Sequence, residues 1–352
     1  MSIVAHEYDQ VVGVDTHART DTFAVIDART GGLLATDTFP TSPSGLKRAL
    51  VWARRRAPGH ALLVIEGAGS YGAPLARIAV VDGWPVVEAA DMPRRRRQGK
   101  SDQIDAARIA HSVLGVETSH LRQPRADQGI RAGLRILDTA RDAINKERTA
   151  AINQLTALVR ISDLGVDARN ALTKQQFSTI AAWRTRTEPI ETRLARAEAT
   201  RLARRIHTCD QELDDNETEM KALVSASPGA FLLNIKGIGA ICATVILVAW
   251  SHQGRIRSES AFAALAGVNP IPASSGNTSH HRLNRGGDRR LNWALTVIAN
   301  SRMAKDSETR AYIAKRLAAG STKQDAKRIL KRYIAREIWK LLNKYETAQP
   351  AI

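Results

Sequence analysis

Up to roughly residue 115, short β-branched runs alternate with helical patterns, and from about residue 130 that alternation gives way to long, charged, strand-free sequence. Alternation of this kind specifies an α/β domain, because each strand buries its apolar face against a neighbouring helix. Residues 11–14, 22–26 and 36–39 read as three leading strands, with Asp27-Ala28-Arg29-Thr30-Gly31-Gly32 as a hairpin turn before the third. Residues 42–56 read as a helix with Leu46, Leu50 and Trp52 on its apolar side. Residues 62–65 follow as a fourth strand, 73–82 as a helix and 85–87 as a fifth strand.

The later sequence is of another kind. Ile130, Leu134, Leu137, Arg141, Ile144, Arg148, Ala151, Leu155 and Leu158 step by four and three, and so do Leu202, Ile206, Cys209, Leu213, Asn216, Met220 and Leu223. Both ladders fit coiled-coil spacing. The pattern allows a helical hairpin within one chain or a dimeric coiled coil, with Asp163-Leu164-Gly165 marking the turn between arms. Arg141, Arg148 and Asn216 interrupt a simple two-stranded zipper. From Pro228-Gly229 onward the chain is Ala-rich and reads as mostly helical, around one polar loop at residues 272–288. The fold class is therefore α/β followed by all-α, divided at 1–125, 126–227 and 228–352. Three leading strands, a helix and further β/α units are the order of a ribonuclease H-like fold.

Four carboxylates in the first part stand where a two-metal nuclease needs them. Asp15 ends the run Val11-Val12-Gly13-Val14, and Glu66 ends Ala61-Leu62-Leu63-Val64-Ile65. Asp102 and Asp105 stand three apart in Lys100-Ser101-Asp102-Gln103-Ile104-Asp105, which reads as the opening of a helix, so both face one side. Divalent Mg²⁺ or Mn²⁺ takes oxygen ligands, and two such ions ~3.5–4 Å apart would flank a scissile phosphate. Singly, each acid also fits a strand end or a helix cap. The four in this order point to metal-dependent phosphodiester chemistry.

Charge agrees with that chemistry. The chain carries a formal net charge of +17, with runs at Arg54-Arg55-Arg56 and Arg94-Arg95-Arg96-Arg97. An excess of this size favours a polyanionic partner, nucleic acid before anionic membrane. Arg94, Arg95, Arg96, Arg97 and Lys100 lie just before the Asp102 helix and are candidate nucleic-acid contacts. The two cysteines, Cys209 and Cys242, are single and far apart, which suits buried apolar roles and a reducing compartment. The N-terminus lacks the basic start and apolar core of a signal peptide. The longest apolar stretch, residues 241–250, falls short of the ~20 residues of a membrane span. A cytoplasmic protein is expected.

Two further motifs lie downstream. Lys236-Gly237-Ile238-Gly239-Ala240 fits a helix-hairpin-helix, whose glycine turn would offer N–H groups to a phosphate beside Lys236; a tight helix–helix turn without a ligand is the plainer reading. Ala273-Ser274-Ser275-Gly276, followed by Arg282, Arg285 and Arg289, could hold a serine nucleophile among cations that offset phosphate charge; chemistry alone also allows an ordinary polar loop.

Several of these motifs, in this order, resemble one family. They are Gly13-Val14-Asp15-Thr16-His17, Ile65-Glu66-Gly67-Ala68-Gly69, Lys100-Ser101-Asp102 with Asp105-Ala106, and Gly237-Ile238-Gly239. Leu265-Ala266-Gly267-Val268-Asn269-Pro270 with Ser275-Gly276, and Arg285-Gly286-Gly287-Asp288-Arg289-Arg290-Leu291, complete the set. The family is the DEDD insertion-sequence transposases (IS one-ten), bridge-RNA-guided recombinases. The resemblance implies a RuvC-like domain whose metal-binding tetrad is Asp15, Glu66, Asp102 and Asp105. It also implies that Ser275, with Ser274 as the competing candidate, forms a covalent 5′-phosphoserine with DNA. Acids and serine then come from separate domains and meet in a composite site across subunits of a homo-oligomer, a dimer assembling to a tetramer. A structured guide RNA pairs with donor and target DNA and selects both. The rival enzymatic reading is a RuvC-like nuclease that uses water and forms no covalent link.

Overall fold

Branched side chains crowd the strands of the first unit, where a pleated surface accommodates their restricted rotamers. In the computed structural model, which describes residues 2–90, 101–125, 128–273 and 281–346, the chain falls into two compact units. One takes Met1–Asp127 together with Trp250–Ser258, the other Gln128–Ala249 together with Glu259–Ile352.

The first unit runs α1 (Val4–Glu7), β1 (Gln10–Thr16), β2 (Thr20–Asp27), β3 (Leu33–Pro40), α2 (Pro43–Arg56), β4 (Ala61–Ile65), α3 (Ala73–Val81), β5 (Val86–Glu88) and α4 (Asp102–His111). The strands form one mixed sheet in the order β3-β2-β1-β4-β5, the ribonuclease H-like arrangement that the sequence order implied. β1 pairs antiparallel with β2 and parallel with β4. Central β1 and β4 are buried on both faces, as strands covered by helices on either side must be. Val12, Val14, Leu63 and Ile65 join Leu46, Leu50 and Leu75 on one face; Val11, Leu62 and Val64 join Ile109 and Ala110 on the other. Ser42 caps α2 by accepting from Gly45 N, and Asp27 Oδ1 fastens the β2–β3 turn by accepting from Arg29 N and Thr30 N.

Gly13 is where α4 meets the sheet. A Cβ there would stand 2.2 Å from Ala106 O and 2.5 Å from Ala110 N, both backbone atoms. No side-chain movement relieves such a contact, so Gly13→Ala must lift α4 off β1. The expected cost is about 3 kcal/mol or more. Chemical denaturation should show that loss, and the shift should weaken any metal binding that needs the α4 acids.

The second unit opens on α5 (Gly129–Ile161), α6 (Lys174–Ala181) and α7 (Ile190–Ser225). Of the two arrangements the ladders allowed, α5 and α7 form the antiparallel hairpin within one chain. Their polar interruptions find partners on the opposite helix: Arg141 Nη1 donates to Leu213 O at 2.8 Å, Asn216 Nδ2 to Leu137 O at 3.0 Å, and Arg148 Nε to Asp210. Buried polar groups matched this way fix the register of the pair. Residues 162–189 are more than the short turn expected at Asp163-Leu164-Gly165. Leu164, Leu172, Phe177 and Ile180 pack on Leu155, Val159, Leu202 and Ile206 as an apolar cap over the hairpin tip.

The unit continues through a 3₁₀ turn (Pro228–Asn234), α8 (Ala240–Trp250), α9 (Glu259–Leu265), β6 (Pro270–Pro272), β7 (His281–Leu283), α10 (Arg289–Lys305), α11 (Ser307–Ala318) and α12 (Lys323–Glu346). The loop expected at 272–288 thus contains strand: β6 and β7 pair antiparallel, Ile271 opposite Arg282. Their three-residue length, and the prolines of β6, hid them. Among the described residues, no helix is long and apolar enough to cross a membrane.

Candidate metal centre

Strand parity decides which acids can meet. Gly13 and Asp15 share a face of β1, Val64 and Glu66 share a face of the β4 line, and both faces look toward α4. Val14 pairs with Ile65, and Glu66 N donates to Val14 O at 3.0 Å, so Glu66 follows β4 in register beside Asp15. From Gly13 to Asp15 the strand advances two residues, which takes the contact with α4 from Ala106 back to its first turn. That turn carries Asp102 and Asp105, and Ser101 caps it by accepting from Ile104 N at 3.3 Å.

One side chain absent from the sequence-derived set joins them. His17 Nε2 lies 3.2 Å from Asp15 Oδ2 and 3.7 Å from Asp102 Oδ1. Asp15, His17 and Asp102 each offer a ligand atom, all within 4.8 Å of one another. Asp105 sits in the same helical turn and accepts from Arg108 Nη1 at 3.0 Å. Asp15 is buried, and that burial raises its pKa; His17 opposes the rise, while the charges of Asp102 and Asp105 add to it. Carboxylates that repel one another around a buried acid, with an imidazole beside them, fit a divalent cation such as Mg²⁺ or Mn²⁺. His17 had a signal in the sequence: it stands two residues after Asp15 and so shares its side of the strand line.

Asp21 was missed as well. It lies opposite Thr16 on β2, is 1% exposed, and accepts from His17 N at 3.3 Å, steadying the segment that carries His17. Burial pushes its pKa up to about 6, against the pull of His17. A carboxyl whose folded pKa exceeds its unfolded value binds more protons in the native state, so stability falls as pH rises from about 4 to 6. Asp21→Asn keeps an acceptor for His17 N. In chelator it is expected to be more stable than the parent at pH 7.5 by on the order of 2 kcal/mol, a gap that closes near pH 4. Thermal melts across that range check the sign.

Arg94, Arg95, Arg96, Arg97, Lys100, Ser274 and Ser275 lie outside the described residues. Lys236 Nζ contacts Asp306 Oδ1 at 2.9 Å, so its charge is partnered within the protein. Gly237 has φ 81° and lies against Ile298 and Arg302 of α10, while Gly239 faces open space. Arg282 in β7, Arg285 and Arg289 are exposed.

Models of two protein families match the chain. The one described as "Transposase", for DEDD proteins of the IS110 type, covers residues 12–162; the one described as "Transposase IS116/IS110/IS902 family" covers residues 229–314. "Putative transposase y4rJ" of Sinorhizobium fredii is 28% identical over 260 residues, 66% of this chain and 63% of that one. "Insertion element IS110 uncharacterized 43.6 kDa protein" of Streptomyces coelicolor is 30% identical over 140 residues, 38% of this chain and 35% of that one. The matched span is thus less than two thirds of the length of either relative.

Proposed function

The chain belongs to the IS110-type family of DEDD transposases, and from that premise we propose that it cuts, exchanges and rejoins DNA strands under the direction of a guide RNA. The observation that carries the reading is the grouping of Asp15 and Asp102 around His17, with Asp105 in the same turn and Glu66 in register alongside.

In this reading Asp15, Glu66, Asp102 and Asp105 hold Mg²⁺ or Mn²⁺, which supplies Lewis-acid stabilisation of charge on the phosphate oxygens. Ser275 Oγ attacks the phosphorus; a Ser275–phosphate bond forms as the bond to the 3′ oxygen breaks. The serine gives up its proton, and the departing oxygen takes one up as a 3′-hydroxyl. After exchange, a 3′-hydroxyl from the other strand attacks the 5′-phosphoserine, frees Ser275 and reseals the backbone, so the energy of the broken bond is kept in the intermediate.

Arg94, Arg95, Arg96, Arg97, Lys100, Arg282, Arg285 and Arg289 contact nucleic-acid backbones, and the turn from Lys236 to Gly239 offers N–H groups to a phosphate as a helix-hairpin-helix does. Base pairing with the RNA supplies sequence choice, as in other guided systems. Residues 1–125 act as the RuvC-like domain, 126–227 as the coiled-coil region and 228–352 as the segment delivering the serine, within a homo-oligomer that grows from dimer to tetramer. The direct test is strand cleavage by the Asp15→Asn protein beside the parent, with Mg²⁺ supplied or chelated.

A further inference from the structure

The segment Trp250–Ser258 returns to the α/β unit, and its path is specified atom by atom. Ser251 adopts φ 74°, the only positive φ of a non-glycine among the described residues, a conformation costing about 1–2 kcal/mol. His252 Nε2 then lies 3.0 Å from Pro124 O, and a Cβ built on Gly254 would come 3.8 Å from Gln123 Oε1. The return therefore runs along residues 122–125.

This path gathers three arginines at the end of the sheet that carries the acids. Arg255 Nη2 reaches Glu88 Oε2, at the end of β5, at 3.3 Å. Arg122 is tied to the same residue through its backbone, Glu88 N donating to Arg122 O at 2.7 Å. Arg125 lies against the loop after Glu66, where a Cβ on Gly69 would stand 4.0 Å from Arg125 Cδ. β5 pairs with β4 through Ile65 and Glu88, so this end of the sheet adjoins Glu66.

The group is short of negative charge. Glu88 is the one carboxylate ion-paired to Arg255 among the described residues. The Arg255 side chain is 11% exposed, and its Nε is buried without a hydrogen-bond partner among the described residues. Burial, then the charge of Arg125, press the Arg255 pKa down; Glu88 only partly offsets them. Guanidinium forks match phosphate oxygens two at a time, so a phosphodiester reaching exposed Arg122 and half-buried Arg125 would answer the excess charge.

We propose that Arg122, Arg125 and Arg255 form a clamp for the DNA backbone beside the Glu66 loop, gripping the strand next to the phosphate that the acids address. The inference rests on the transposase reading for the identity of the anion. The test uses full-length protein in chelator, where cleavage is silent, and follows the anisotropy of a labelled 30-base-pair DNA duplex as KCl is raised. Arg122→Gln with Arg125→Gln should make the slope of log Kobs against log[KCl] shallower by about 2, close to one per lost phosphate contact. Arg125→Lys should keep the parent slope, and the melting temperature of both variants should match the parent. Arg255→Gln removes the Glu88 tie as well and is read only beside Arg255→Lys.

A parental slope in the double variant overturns the clamp. An equal loss on an RNA duplex of the same sequence overturns its assignment to the DNA strand. The transposase reading falls separately, if Asp15→Asn still cleaves; that outcome does not move the salt slope.

Discussion

Asp15→Asn is expected to lower Mg²⁺-dependent strand cleavage by about 10²- to 10⁴-fold, the rate equivalent of several kcal/mol of charge stabilisation at phosphate oxygens. Asparagine keeps the shape of the residue and removes one negative charge from the group made by Asp15, His17 and Asp102. The fold should not suffer. Asp15 is already disfavoured as an anion, by burial and by the charges of Asp102 and Asp105. At pH 7.5 in chelator the variant should therefore melt at the parent's temperature or above it. Adding Mg²⁺ or Mn²⁺ should raise the melting temperature of the parent, because a ligand of the native state stabilises it by mass action, and should leave the variant unmoved. A variant that loses activity and stability together would indicate structural damage; lost activity with retained stability identifies a ligand.

Ser275→Ala is expected to abolish the denaturant-stable protein–DNA adduct and to reduce strand exchange by on the order of 10⁴-fold or more, as loss of a covalent nucleophile does. Ser274→Ala should keep both. Binding of DNA by the Ser275→Ala protein should match the parent, since the change removes one hydroxyl and no charge. The pair of variants decides between neighbouring serines that sequence chemistry cannot tell apart. It also separates the recombinase from a RuvC-like nuclease, which uses water and would cut with Ser275 replaced.

The α/β unit was legible because strand alternation, apolar helix faces and turn residues agree there. The strand expected at 11–14 is β1, the helix expected at 42–56 is α2 behind its Ser42 cap, and the β2–β3 turn closes on Asp27. The heptad ladders gave the two long helices. Arg141 and Asn216 looked like faults in a seam because their partners, Leu213 O and Leu137 O, come from the opposite arm and no local pattern shows them.

Other features were hidden for the same reason. His17 stands beside Asp15 in the chain, but Asp102 meets the two only once α4 lies over Gly13, a contact between residues some 90 positions apart. The return of Trp250–Ser258 depends on His252 meeting Pro124, more than 120 residues away in sequence. Asp21 reads as an ordinary polar strand residue until both sides of β2 are seen to be covered. Local chemistry marked the acids; only the fold assembled what stands around them.

The most direct measurement is the chemical form of the cut. Parent protein is incubated with Mg²⁺ and a DNA bearing its recombination site, denatured and digested, and the peptide containing Ser275 is examined by mass spectrometry. The account predicts a nucleotide joined through its 5′-phosphate to Ser275, absent from Asp15→Asn protein and from reactions in chelator. Cut DNA carrying a free 5′-phosphate, with no modified peptide, would contradict it and leave a metal-dependent nuclease.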